Sequence, residues 1–284
     1  MSTGRRVALP TTGSLAVLEA GPRGAPSVVF VHGIAQSKQV FERVLAGPLA
    51  ARLRLVAFDL RGHGDSDAPA PGETLTRADL AYDLAAVIDG LGLARPTIAA
   101  WSFGGVVVGE YLRRFGDAAL GGLISLAGSV RTGRDAVPWF GPAMMTHARA
   151  LLSEDLDVYA TAARAFISDA TAAPIPPAVL EAAVAEMLRV PARVRRPLLA
   201  GGEDYTATLA ATRVPIATLH GALDPVVLPA MSDLVATARP DVIAVRLAGV
   251  GHLPWIEAPD AFDAALADLA APRDAPWPVR FEPP

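Results

Sequence analysis

A serine hydroxyl is a poor nucleophile until a base takes its proton and a third group orients that base. In this chain Ser102 lies within "TIAAWSFGGVVVGEYLRRFG", between a β-branched apolar run and an amphipathic one. A sharp strand-to-helix turn would lift the hydroxyl clear of a sheet. Crowding at such a turn demands small residues two positions away on either side, and Ala100 and Gly104 stand there. The pattern is the nucleophile elbow G-x-S-x-G with alanine in the first glycine position. The following helix would aim its first N–H groups at the serine and stabilise negative charge developing there.

Five histidines could serve as the base. His252 lies in "LAGVGHLPWIEAPDAF", a glycine-flanked loop between the last strand and the last helix. In an open parallel sheet such a loop falls on the edge where ligands bind. His32 and His220 each precede a glycine at a strand end, which suits a role in shaping the turn. His63, in "RGHGDSD", and His147, in a helical stretch, suit solvated or structural places. The orienting carboxylate is expected at Asp224, in "HGALDPVV", again just past a strand. The competing position after "GGLISLAG" offers only Gly128, Ser129 and Val130, while Asp59 and Asp65 belong to a glycine-rich turn. The resulting order, Ser102, Asp224, His252, is the order in which an elbow serine, its acid and its base follow one another.

These groups need a scaffold, and the chain alternates short β-rich runs with helical patterns, as a mostly parallel sheet between helices does. "RRVALP" and "SLAVLEA", joined by "TTGS", read as an antiparallel edge. "SVVFVHG", "LRLVAFDLRGHG", "PTIAAW", "GGLISLAG", "VPIATLHG" and "DVIAVRLAG" read as the remaining strands. Helical spacing runs through "AQSKQVFERVLAGPLAAR". "TLTRADLAYDLAAVIDGLGL" predicts an amphipathic helix, capped by Thr76 and stopped at Gly90 or Gly92, and "PDAFDAALADLAA" a closing one. From about Arg131 to Tyr205 helical patterns and prolines occur without a strand signal, which predicts a helical insertion into a single domain spanning residues 1–284. The tail from Pro272, "PRDAPWPVRFEPP", predicts extended chain.

Composition narrows the function. Hydrophobic residues make up 52% and charged residues 19%, the balance of a folded globular chain, and a net charge of −4 lacks the basic footprint of a nucleic-acid binder. No run is apolar and long enough to span a bilayer, and no secretory core is seen near the N-terminus, so a cytoplasmic location is expected by default. Without cysteine, thiolate metal sites are excluded, and no H-E-x-x-H spacing occurs. No cofactor and no metal are expected. Oligomeric state is not encoded in these patterns.

Taken together, "FVHG", "DLRGHGDSD", "AAWSFGG", "HGALDPVV" and "GVGHLPW" resemble the signatures of the α/β-hydrolase superfamily, in its order and over nearly the whole chain outside the insertion. The resemblance implies a mostly parallel central sheet with helices on both faces and a helical cap made from the insertion. It also implies an oxyanion hole from the main-chain N–H groups of Ile34 and Phe103. A serine at the elbow, rather than an aspartate, argues against epoxide hydrolase and haloalkane dehalogenase chemistry. "WSFGG" and "HG..D" are similar to small esterases, cofactor-free haloperoxidase-type perhydrolases and pimeloyl methyl-ester esterases. The expected activity is hydrolysis of small-molecule carboxylic esters through an acyl-enzyme. Perhydrolysis, C–C bond hydrolysis or lyase chemistry with the same triad, or ligand binding without catalysis, are the alternatives. Within the insertion, Trp139, Phe140, Met144 and Met145 either pack the cap or line an acyl pocket.

Overall fold

Strands form where β-branched and other apolar runs are bounded by glycines and polar turns. A computed structural model describes residues 2–9 and 13–270. The proline-rich tail and the threonines of the "TTGS" turn lie outside the described residues. The strands are β1 (Thr3–Ala8), β2 (Ser14–Ala20), β3 (Ser27–Val31), β4 (Arg54–Phe58), β5 (Thr97–Trp101), β6 (Gly122–Leu126), β7 (Ile216–Gly221) and β8 (Ile243–Leu247). They form one sheet in the order β1-β2-β4-β3-β5-β6-β7-β8. β2 pairs antiparallel with β1 and β4, and every pairing from β4 across to β8 is parallel. β4 and β7 are buried along their entire length, and β3 and β5 at all but their first residue. Strands buried in this way need cover on both faces. Strand order turns back at β3, which lies between β4 and β5, and at such a reversal the strand ends open a crevice.

Helix α2 (Arg77–Gly90) begins at Thr76, whose hydroxyl accepts from the Asp79 amide while the Asp79 carboxylate accepts from the Thr76 amide. This reciprocal cap leaves no orphan donor at either position. α2 is buried more widely than an amphipathic surface helix, with Tyr82 and Asp89 on its narrow exposed stripe, because it packs against both β1 and α3 (Gly104–Phe115). The segment of helical spacing from Ala35 to Arg52 instead breaks into a 3-10 turn (Lys38–Phe41), the short α1 (Glu42–Ala46) and a second 3-10 turn (Pro48–Ala51). Pro48 is the cause, since it has no N–H to donate and disfavours helical backbone at Gly47. α9 (Ala230–Ala238), α10 (Pro254–Glu257) and α11 (Pro259–Ala270) complete the body.

Between β6 and β7 the chain makes a 3-10 turn (Arg134–Trp139), α4 (Pro142–Leu151), α5 (Leu156–Asp169), α6 (Pro177–Arg189), α7 (Ala192–Leu199) and α8 (Thr206–Ala210). The two ends of this insertion meet. Thr132 N donates to Glu203 O (2.9 Å), Tyr205 N to Val130 O (2.9 Å), and Arg131 and Asp204 form an isolated antiparallel bridge. Inside it, the buried Arg195 guanidinium stacks 3.6 Å over the Tyr159 ring and donates to the carbonyls of Leu151, Val190 and Ser153. Those carbonyls end α4 and α6, so their C-terminal dipoles offset a cation that pairs with no carboxylate among the described residues. The insertion also grips the body. Gln36 Nε2 donates to Ala183 O (3.2 Å), and Arg189 pairs with Asp65 (2.7 Å), which shares the buried Lys38 ammonium with Asp59. No helix among the described residues is long and apolar enough to cross a membrane.

Candidate active site

Ser102 follows the last residue of β5 and takes φ = +53°. A residue carrying a Cβ is strained there, and such strain survives only where the surroundings impose it. The surroundings do so by close approach. A Cβ at Gly104 would stand 2.4 Å from Val31 O, and one at Gly105 2.6 Å from Ser129 O. Ser102 N donates to Leu126 O (3.1 Å) and Ser102 O accepts from Ser129 N (2.9 Å), which pins the elbow to the end of β6. The hydroxyl itself has no hydrogen-bond partner among the described residues, and Ser102 lines a cavity of about 280 Å³.

The turn after β3 lies against this serine. A Cβ on Gly33 would come within 3.2 Å of both Ser102 Cβ and the Trp101 ring. The amides of Ile34 and Phe103 have no protein acceptor among the described residues, and both residues line the same cavity. His32, just before the turn, is fully buried and locks it: Nδ1 donates to Gly33 O (2.7 Å) and Nε2 accepts from Leu60 N (3.0 Å). That pairing requires a neutral ring, and burial lowers its pKa to about 4.

His252 and Asp224 meet where β7 and β8 end. His252 Nδ1 lies 2.7 Å from Asp224 Oδ2, so the ring proton sits on Nδ1 and leaves a lone pair on Nε2 that can accept a proton. Asp224 Oδ1 accepts from the amides of Val226 (2.8 Å) and Val227 (3.1 Å). Burial opposes its ionisation, but the pull of His252 and the hydrogen bonds from His220 and His252 bring its pKa down to about 2. The elbow and the His252 loop touch through Trp101, the residue before the serine. Its Nε1 donates to His252 O (3.0 Å), and its ring lies 5.3 Å from the imidazole and 5.0 Å from Trp255. No direct hydrogen bond joins the Ser102 hydroxyl to His252 among the described residues. In resting enzymes such contacts are often open and tighten around substrate.

The other candidates sort differently. His220 does more than shape a turn: it is wholly buried, accepts from Ser232 Oγ at Nδ1 (2.7 Å), and presents Nε2 to Asp224 Oδ2 (3.0 Å) and Val227 O (2.8 Å). Spacing could have hinted at it, since His220 and Asp224 are four residues apart. His63 is not solvated; it is buried 5.3 Å from His32, with Nε2 unpartnered. His147 bonds Asp169 (2.8 Å) within the insertion. Phe140, Met144 and Met145 line the cavity, but Trp139 does not. Its ring is held instead under the Arg131 guanidinium at 4.8 Å, and its carbonyl accepts from Leu228 N, both of which fix it against the body. No cluster of three or more His, Asp or Glu that could hold a metal occurs among the described residues.

Comparison with known proteins identifies the family. The profile of the alpha/beta hydrolase family matches residues 28–265. The chain belongs to that family. Among curated relatives, the probable oxidoreductase EphD of Mycobacterium tuberculosis is 40% identical over 113 residues, which cover 39% of this chain and only 19% of EphD. The pimeloyl-[acyl-carrier protein] methyl ester esterase of Edwardsiella ictaluri is 26% identical over 269 residues, 88% of this chain and 95% of that enzyme. Among solved structures, the esterase RhEst1 from Rhodococcus sp. superposes with a TM-score of 0.84 at 30% identity, covering 94% of this chain and 98% of that one. The family match thus runs from β3 into the closing helix α11.

Proposed function

We propose that the protein is a serine hydrolase of carboxylic esters, with Ser102 as nucleophile, His252 as general base and Asp224 as its orienting acid. His252 Nε2 takes the Ser102 proton as Oγ attacks the ester carbonyl, and the oxyanion forms against the N–H groups of Ile34 and Phe103. Collapse expels the alcohol, protonated by His252, and leaves an acyl-serine. Water then attacks the acyl-serine by the same steps in reverse. Asp224 stays ionised throughout and stabilises the transient imidazolium. The observation that carries this reading is the elbow: a strained serine lining an apolar cavity, beside two amides without acceptors among the described residues.

The helical insertion acts as the cap of this site. Phe140, Met144, Met145 and Phe166 line the cavity from the insertion and Ile34, Phe103 and Val106 from the body, so the acyl group is apolar. Full-length esterase relatives support the reaction class. The test is labelling by a fluorophosphonate together with turnover of p-nitrophenyl esters of increasing acyl length. Ser102→Ala should abolish labelling and lower turnover by about 10⁴- to 10⁶-fold while the fold persists. Near-normal hydrolysis by that variant refutes the nucleophile.

A further inference from the structure

The loop that carries His252 is held by a carboxylate outside the triad. Glu257, on α10, accepts hydrogen bonds from the amides on both sides of the histidine: Gly251 N to Oε2 (2.8 Å) and Leu253 N to Oε1 (3.0 Å). The same Oε2 accepts from Ala172 N (2.8 Å), in the link between α5 and α6 of the insertion. The amide between those two, His252 N, donates to Ala170 O (2.9 Å) in that same link. Three successive amides, 251 to 253, are therefore all spoken for, two by Glu257 and one by the insertion. Contact here is tight: a Cβ on Gly251 would sit 2.7 Å from Ala172 N and 2.9 Å from Ala170 O.

We infer that Glu257 is a positioning residue that sets where His252 stands and joins the base to the helical insertion. The inference rests on His252 being the base, as proposed above. Hydrogen bonds from N–H groups to an ionised carboxylate are among the stronger ones, and one group bridging three donors leaves the loop little freedom. His252 Nε2 must meet a serine proton that it does not contact at rest, so a small drift of its backbone changes the reactive geometry directly. Nothing in the reaction passes through Glu257 itself. Its effect belongs in the chemical step and not in the affinity for the ester.

The experiment compares the full-length wild type with Glu257→Ala and Glu257→Gln. Readouts are kcat and KM on a p-nitrophenyl ester, and the far-downfield proton resonance of the His252–Asp224 hydrogen bond. Displacement of a reacting group by about 1 Å is worth about 100-fold, so Glu257→Ala should lower kcat by about 10- to 100-fold with KM within about twofold. The downfield resonance should broaden with it. Glu257→Gln keeps one acceptor oxygen, and both its kcat and its resonance should fall between those of the other two. If Glu257→Ala does not fold, a Gln variant with reduced kcat and unchanged KM supports the inference. Unchanged kcat and an unchanged resonance in a folded variant overturn it, as does a loss confined to KM. Absence of ester turnover or fluorophosphonate labelling in the wild type would instead overturn the catalytic reading and remove the premise of this one.

Discussion

Lowering the pH from about 7.5 to about 5 should destabilise the fold through two buried imidazoles. An unfolded histidine titrates near about 6.5. In the folded chain burial lowers His32 to about 4, and burial together with the neighbouring His32 lowers His63 to about 3. Both rings stay neutral in the native state at pH 5, while the unfolded chain takes up two protons. Their stabilisation is therefore complete above about pH 6.5 and declines as the pH falls. Each unit is worth about 1.4 kcal/mol per group, so the loss at pH 5 is about 2 kcal/mol for each histidine. One group acts the other way. Burial raises Asp83 to about 6 despite its Arg61 partner, so the native state binds a proton there first and regains about 1.4 kcal/mol by pH 5. Asp65 and Asp224, both held at about 2, begin to lose stability only near the unfolded carboxylate pKa and below, outside this window. The net loss should be about 2 to 3 kcal/mol. Chemical denaturation at the two pH values measures it, and His63→Gln isolates one term by removing about 2 kcal/mol of the pH dependence. A stability that is flat across this range, or a His63→Gln variant with the wild-type pH dependence, would refute the reasoning. Only below about pH 4, where the folded ring itself takes up a proton, does His32 lose the capacity to accept from Leu60 N.

Two further expectations follow from the elbow and the cavity. Ser102→Gly should be more stable than Ser102→Ala by about 1 kcal/mol, because glycine relieves the left-handed backbone that alanine retains; equal denaturation midpoints for the two would show that the elbow stores no strain. Met144→Ala should shift the preferred acyl chain length while short activated esters are still hydrolysed at comparable rates, and Trp139→Ala should leave chain-length preference unchanged; a length shift with Trp139→Ala would show that its ring reaches the substrate.

The sequence makes the strands and the antiparallel edge readable because most are apolar runs closed by a glycine loop, whereas their order in the sheet, with β3 between β4 and β5, has no local signal. Ser102 was marked by small residues whose necessity is steric: Gly104 has Val31 O where a side chain would go. His252 and Asp224 were placed by their position past strand ends, and the structure brings them to 2.7 Å. What local pattern could not show depends on distant packing. Trp139 shares its apolar stretch with Met144 and Met145, yet Arg131, eight residues earlier, holds its ring away from the cavity. His63 sits among polar neighbours in sequence but beneath residues from elsewhere in the fold. Glu257 carries no local signal of its role; its three amide partners come together only when α10 and the α5–α6 link fold against the His252 loop. Pro48 was the exception, a local signal for a broken helix that helical spacing outweighed.

The closed neck of the insertion has a consequence for how such a protein can change. Its strands of entry and exit are already zipped at Thr132 and Glu203, before the first helix and after the last of the four that roof the cavity. The register of β6 and β7 is therefore settled below the neck, and whatever lies above can lengthen, shorten or be exchanged as a cassette without moving the elbow. Such an exchange would have to remake, among other contacts, the carbonyl of Ala183 for Gln36, the guanidinium of Arg189 for Asp65, the carbonyls of Leu198 and Ala200 for Arg77, the amides of Gly141 and Ala143 for the carbonyls of Val226 and Pro225, and the Ala170–Ala172 turn that meets His252. Of these, the last two reach the loops that carry Asp224 and His252, so a foreign roof that lost them would disturb the seating of both side chains.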